Sequence, residues 1–376
     1  MSTGRDREVT CYDIKSGTIQ NNFIFEDETF NSVLSLDDGN MAVSYSLDQN
    51  VYVWDLNDSK LLFKKNYPVE IDALSTFNFT DPNTNKKHMM VLFGGNDGKL
   101  YVLDITSSKK GYVFQDYIVL QDRKKPIQVI ETIKSKGMIV IIDDDRDITL
   151  LNFEEFDNET GPKFVIEEEL MGYNDEILDA KFIKCKENPI FDDWIVLATN
   201  SNTLKFYNHQ TKKSKLVNGH KNMILCVDVI EDMVLTGSRD STIKLWKLEY
   251  SDSLNVRLLA TFKGHAETVQ YLCAAPKKGN FFVSTSTDKS LKLWQLNEQI
   301  TSTTRSITVS QSNKTIVPHN KDINVVKVSP NDKLVATGSS DKTIKVYKAS
   351  DLTEMFELKG HKRGIWDLSF NKFEKL

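Results

Sequence analysis

The chain has 376 residues, 27% charged and 40% hydrophobic, with a formal net charge of −5. That length suits two domains or one large all-β array, and no run of about 18 apolar residues offers a membrane-spanning helix. The opening MSTGRDREVT has no apolar signal core, and Cys11, Cys185, Cys226 and Cys273 are too scattered for a C-x-x-C metal site or a disulfide framework. Buried thiols in a reducing compartment are expected.

Charge is spread unevenly. Residues 1–170 carry 18 Lys+Arg against 30 Asp+Glu, a net of −12, whereas 171–376 carry 30 against 23, a net of +7. A basic second half is compatible with a surface facing RNA and equally with a solvated lysine-rich face.

One pattern returns along the chain. A small or hydroxylated residue precedes an Asp, and an alternating apolar stretch then ends in a large side chain six residues later. In order the copies are TGRDREVTCY (3–12), SYSLDQNVYVW (44–54), GGNDGKLYVL (94–103), IDDDRDITLL (142–151), ATNSNTLKFY (198–207), TGSRDSTIKLW (236–246), STSTDKSLKLW (284–294) and TGSSDKTIKVY (337–347). Their anchors are Asp6, Asp48, Asp97, Asp145, Asp240, Asp288 and Asp341, with Ser201 in the Asp slot of the fifth copy. Alternation around a polar turn predicts a β-hairpin. Its return every 40–50 residues or so predicts four-stranded β-propeller blades. The expected fold is therefore all-β, with about eight repeats and longer loops at 77–90, 154–170 and 297–318.

A second landmark precedes the later hairpins. Gly219-His220, Gly264-His265, Pro318-His319 and Gly360-His361 are followed by apolar residues that suit a loop entering the innermost strand of a blade. Gly172-Tyr173 stands there in the fifth copy, so donor and acceptor are lost together.

Chemistry is sparse. Four of the six histidines occupy these repeat starts; His88 lies in a polar stretch and His209 just after a strand, neither with an evident partner. Asp143-Asp144-Asp145 reads as a solvated turn, with a metal cluster as the alternative. No phosphate loop, H-E-x-x-H or G-x-S-x-G is present, so no enzymatic activity, metal or cofactor is expected. The acidic segment 154–170, centred on Gly161-Pro162, reads as a surface loop or a linker.

These landmarks resemble the WD-repeat family over nearly the whole chain. In that family His, a strand Ser/Thr, the turn Asp and Trp form a hydrogen-bonded chain inside each blade. The resemblance assigns His220, Ser238, Asp240, Trp246; His265, Ser286, Asp288, Trp294; and His319, Ser339, Asp341, with Tyr347 in the Trp position. A half-buried Asp needs such donors. The stretches KDIN, SPNDKL and GHKRGIWDLSF (within 319–376), with MGYNDEILDAKF (171–182), are similar to members that serve the small-subunit processome.

That resemblance implies a non-catalytic nucleolar scaffold of the UTP-B subcomplex, acting in early processing of ribosomal RNA precursor beside a small nucleolar RNA. Its partners would be other WD-repeat subunits, with possible contact to precursor or small nucleolar RNA and none to membrane or small-molecule substrate. Such members carry two tandem seven-bladed propellers. On this reading 1–170 are the closing blades of a first propeller and 171–376 the opening blades of a second; the rival is one eight-bladed ring over 1–376. Lys321, Lys362, Arg363 and Trp366 are the candidate partner or RNA contacts. Alternative functions are a substrate receptor of a ubiquitin ligase, although the Trp steps WDLN, WKLE and WQLN lack the W-D-x-R adaptor step, and a generic signalling scaffold.

Overall fold

The computed structural model describes all residues except 1, 5–7, 14–15, 17, 25–29, 37–39, 57, 59, 81–86, 109–110, 121–124, 134–136, 145–146, 158–159, 171–176, 184, 186–188, 251–252 and 371–376. Asp6, Asp145 and Gly172-Tyr173 thus lie outside the described residues. Among those described, regular structure is almost entirely strand; the exceptions are the 3-10 turn Pro189–Asp193 and the single-turn helix Glu298–Thr301. The strands form eight sheets, seven of four strands and one of five.

In the sheets that follow chain order, four consecutive strands pair antiparallel, as in Ile224–Ile230, Met233–Ser238, Ile243–Tyr250 and Leu254–Phe262. The second strands, Met41–Ser46, Met233–Ser238 and Phe281–Ser286, are buried at every residue. Each lies in the interior of its sheet and is covered on both faces, so its sequence is a continuous apolar and small-hydroxyl run. The fourth strand Lys60–Asn66 is polar and mostly exposed, whereas Leu254–Phe262, covered by a fifth strand, is largely buried. A one-residue bulge recurs near the start of the first strand, at Ile177/Asp179, Ile224/Cys226, Val269/Tyr271 and Ile323/Val325.

The chain divides into two compact units. One, residues 28–174, holds three sheets beginning at Phe30, Ile71 and Ile127. Its core includes Phe93, Leu92, Ile127 and Ile141, all fully buried. Segment 154–170 is neither loop nor linker, correcting the sequence reading. Ile148–Asp157 and Gly161–Leu170 pair as the third and fourth strands of a sheet, with Phe164 packed at the core. Its acidic residues masked a strand periodicity that Phe164 and Ile166 carry.

The other unit, residues 1–27 with 175–376, holds the remaining five sheets. Ser2–Gly4, Glu8–Asp13 and Thr18–Ile24 take Ile365–Leu368 as their fourth strand, through Ser2↔Leu368 and Thr3↔Asp367. The N-terminal strands therefore group with the C-terminal sheets, whereas the sequence-based division at 170/171 placed them with residues 28–170. The 297–318 insertion is also structured: Ile307–Val309 adds a parallel fifth strand beside Leu254–Phe262, and Lys314–Ile316 completes its own sheet.

Candidate functional site

The repeated Asp sits in one backbone geometry. In 238–241 the N–H of Ser241 donates to Ser238 C=O (3.2 Å), and Ser241 has φ 61°. Gln49, Gly98, Lys289 and Lys342, each following an Asp, share this positive φ (67°, 78°, 62° and 76°) and the same turn hydrogen bond. A type I turn followed by a left-handed residue matches the twist of the strands it joins. Asp240 Oδ1 then accepts the Thr242 N–H (2.9 Å), which pins the turn.

From this turn a polar chain runs into the sheet. Asp240 Oδ2 accepts from His220 Nδ1 (2.9 Å) and from the Lys221 N–H (2.8 Å). His220 Nε2 meets Thr236 Oγ1 at 2.7 Å, and the Trp246 indole N–H donates to that oxygen at 3.0 Å. Burial alone would raise the Asp240 carboxyl. The His220, Thr242 and Lys221 donors outweigh it and hold the group well below the usual carboxylate range. Burial lowers His220 despite the carboxylate beside it. The imidazole is therefore neutral, with Nδ1–H on Asp240 and Nε2 accepting the Thr236 hydroxyl, so that one proton direction satisfies the whole chain.

The next repeat copies this with Ser284 in place of Thr236. His265 Nδ1 and Asp288 Oδ2 are 3.1 Å apart, His265 Nε2 and Ser284 Oγ 2.8 Å, and Trp294 donates to Ser284 at 2.8 Å. Burial would raise Asp288, but the Ser290 and Ala266 donors bring it down to about 2; burial takes His265 down to about 4. In the third repeat His319 reaches Asp341 (2.9 Å) and Thr337 (2.8 Å), while the hydroxyl of fully buried Tyr347 has no hydrogen-bond partner. That network stops one link short.

The linking hydroxyl is thus Thr236, Ser284 or Thr337, which corrects the sequence assignment of Ser238, Ser286 and Ser339. The register explains it: Trp246 faces Val234, so its indole reaches one same-face pair toward the turn, to Thr236, and Ser238 lies a further pair away. Ser238, Ser286 and Ser339 instead accept the backbone N–H of Asp240, Asp288 and Asp341 at 3.0, 3.1 and 3.0 Å and hold the turn. The readable signal was a constant spacing of ten residues to the Trp, shared by Ser44 and Trp54, which bond at 2.8 Å.

Gly219 has a steric reason. A Cβ there would lie 2.4 Å from the Trp246 ring. Where the shorter Tyr347 replaces the indole, Pro318 occupies the corresponding position.

A further link joins neighbouring sheets and was not read from sequence. Asp179 accepts the Val227 N–H (2.9 Å), Asp228 the Ala274 N–H (2.8 Å) and the Cys273 sulfur the Val328 N–H (3.3 Å). Burial pushes the Cys273 thiol up to about 12, which suits a neutral sulfur acceptor. No disulfide forms among the described residues.

Two remaining sequence readings are corrected. His88 is not in a polar loop without a partner: it is buried on Lys87–Gly95 and bonds Asp104 (2.8 Å) and Thr106 (3.2 Å). Of the expected solvated turn 143–145, Asp144 is exposed as read, whereas Asp143 is buried and accepts the Asp147 N–H (2.9 Å). No group of side chains that could hold a metal occurs among the described residues.

Lys321, Lys362 and Arg363 are exposed, and Trp366 is 46% exposed. Their loops flank one Asp turn: Ser339 Oγ donates to Lys321 C=O (3.4 Å), and Asn324 bridges Ser340 (3.0 Å) and Ile365 C=O (2.8 Å). The fold therefore brings the two loops together on one rim.

The model of the WD domain, G-beta repeat family matches residues 211–247, 256–295 and 310–348. The chain carries WD repeats. Its sheets are β-propeller blades, and a crystal structure of the computationally designed Ika8 protein shares that fold, with a TM-score of 0.66 over 92% of each chain at 19% identity. Among curated proteins, Transducin beta-like protein 3 of Rattus norvegicus is 27% identical over 90% of this chain and 42% of its own length. U3 small nucleolar RNA-associated protein 13 of Saccharomyces cerevisiae is 26% identical over 86% of this chain and 40% of its own. The chain spans less than half the length of these two relatives.

Proposed function

We propose that this WD-repeat chain is a non-catalytic scaffold in small-subunit ribosome biogenesis, a nucleolar subunit of UTP-B within the small-subunit processome. The observation that carries the reading is similarity over 86% of the chain to a protein named for association with U3 small nucleolar RNA. The geometry supports it. The buried His220–Asp240 and His265–Asp288 pairs are closed by their own hydroxyls and indoles, which suits a role in holding blades rigid. What the blades offer outward is loops. On this proposal the rim of Lys321, Lys362, Arg363 and Trp366 meets neighbouring subunits or RNA phosphates.

Affinity purification of the tagged protein from growing cells tests the proposal. Recovery of other UTP-B subunits with ribosomal RNA precursor is expected, and Lys362→Glu with Arg363→Glu should reduce that recovery severalfold. Recovery of cullin adaptors instead would assign the chain to ubiquitin-ligase substrate reception.

A further inference from the structure

The rim opposite the Asp turns holds an open cavity of about 690 Å³ between the 269–316 and 323–358 blades. Three turns wall it, those following Val269–Ala274, Ile323–Val328 and Ile344–Lys348, and they bring Lys277, Lys278, Lys333 and Lys348 around one opening. All four lysines are exposed, and none is in an ion pair among the described residues.

The carboxylate among the lining residues, Asp332, is already committed. It accepts the backbone N–H groups of Lys277 (3.1 Å) and Lys278 (2.7 Å) and so braces one turn against the next. Asp351, beside Lys348, is likewise turned onto the Thr353 N–H (2.9 Å). The structure thus spends its local acids on backbone and leaves the ammonium groups facing solvent. Half-exposed Met355 contributes an apolar patch to the wall, and Asn280 and Gln295 add amide groups.

We propose that this cavity binds single-stranded RNA, with phosphates among the four lysines and a base or ribose against the Met355 wall. The volume lies within the roughly 300–1,000 Å³ of small-ligand clefts. Lysines acting as point charges suit phosphate, whereas a carboxylate partner is matched best by the planar fork of Arg, which the cavity lacks. Amides beside an apolar wall can bind a base by its edge. This site is on the other rim from Lys362 and Arg363. It deepens the scaffold reading and rests on it, because that reading places the protein beside RNA.

The test uses fluorescence anisotropy of the purified full chain with a labelled 12-nucleotide single-stranded RNA across a salt series. Replacing Lys277, Lys278, Lys333 and Lys348 by Ala should weaken binding at least tenfold and lower the log–log salt slope by up to about 2.8, from about 0.7 per lost phosphate contact. A control removes the same charge at exposed Lys64, Lys212, Lys213 and Lys215 and should change affinity less than threefold. Equal weakening in the control would overturn the site, as would wild-type affinity in the cavity variant. Binding of labelled polyglutamate without RNA binding would overturn it too, and would make an acidic peptide the occupant. Circular dichroism and Tm confirm that both variants fold. Because these readouts need no processome, their failure leaves the purification result standing, and a chain absent from processome particles that still shows the expected RNA profile would remove only the scaffold assignment.

Discussion

The WD repeats of 211–348 and the blades of 28–174 solve one backbone problem with different side chains. Both regions keep an Asp followed by a left-handed residue, at Asp48-Gln49 and Asp97-Gly98 as at Asp240-Ser241 and Asp288-Lys289. In the WD repeats the Asp is fed by a buried His and a turn hydroxyl, and the far side of the His meets a strand hydroxyl that takes an indole N–H where the repeat ends in Trp. In 28–174, Asp97 is fed by Tyr101 (2.8 Å) and the Lys99 N–H (3.1 Å), Trp54 is satisfied by Ser44 (2.8 Å), and the buried pair has moved to His88 and Asp104 on neighbouring strands. The turn is the requirement, and the set of donors around it can vary as long as no buried polar group is stranded.

The comparison breaks most visibly at the indole. Trp294→Ala removes a fully buried side chain packed against Phe262 and Phe282 and should cost about 3–5 kcal/mol in urea unfolding. Asp288→Ala should cost about 2–4 kcal/mol, because it strands His265, the Ser290 hydroxyl and two backbone N–H groups, whereas Asp97→Ala, which removes a more exposed carboxylate with fewer donors, should cost about 1 kcal/mol. Equal losses would erase the distinction between the regions.

Acid should strike the WD repeats first. His265 falls from 6.5 unfolded to about 4 in the fold, so the unfolded chain binds more protons between those values and stability drops as pH falls through that window, by on the order of 3 kcal/mol. Asp288, held at about 2, adds a further loss below its unfolded value near 3.8. Urea midpoints measured from pH 7.5 to 4 should show the decline, and His265→Phe should flatten it. The smallest effect is expected at Tyr347→Phe, within about 0.5 kcal/mol of wild type, since the removed hydroxyl has no partner; a loss above about 1.5 kcal/mol would mean the third network is closed.

Strand count, blade period and the Asp turns were legible because a tight turn and a doubly covered strand constrain residue type at fixed spacing. The histidines of the WD repeats were legible for the same reason, His220 and His265 each preceded by a glycine packed against its Trp ring. The linking hydroxyl was not, since Thr236 and Ser238 are both small hydroxylated residues and only cross-strand register separates them. Nor was His88: its polar flank hides a strand whose partner, Asp104, comes from a separate strand 16 residues later. Segment 154–170 misled because acidic residues on an outer strand look like a loop until pairing is known.

The most direct measurement is a double-mutant cycle between His265→Leu and Asp288→Ala, read by urea unfolding at pH 7. If imidazole and carboxylate act as one buried unit that locks the blade, a coupling of about 1.5–3 kcal/mol is expected. Additive losses, with coupling below about 0.5 kcal/mol, would contradict that role for the pair.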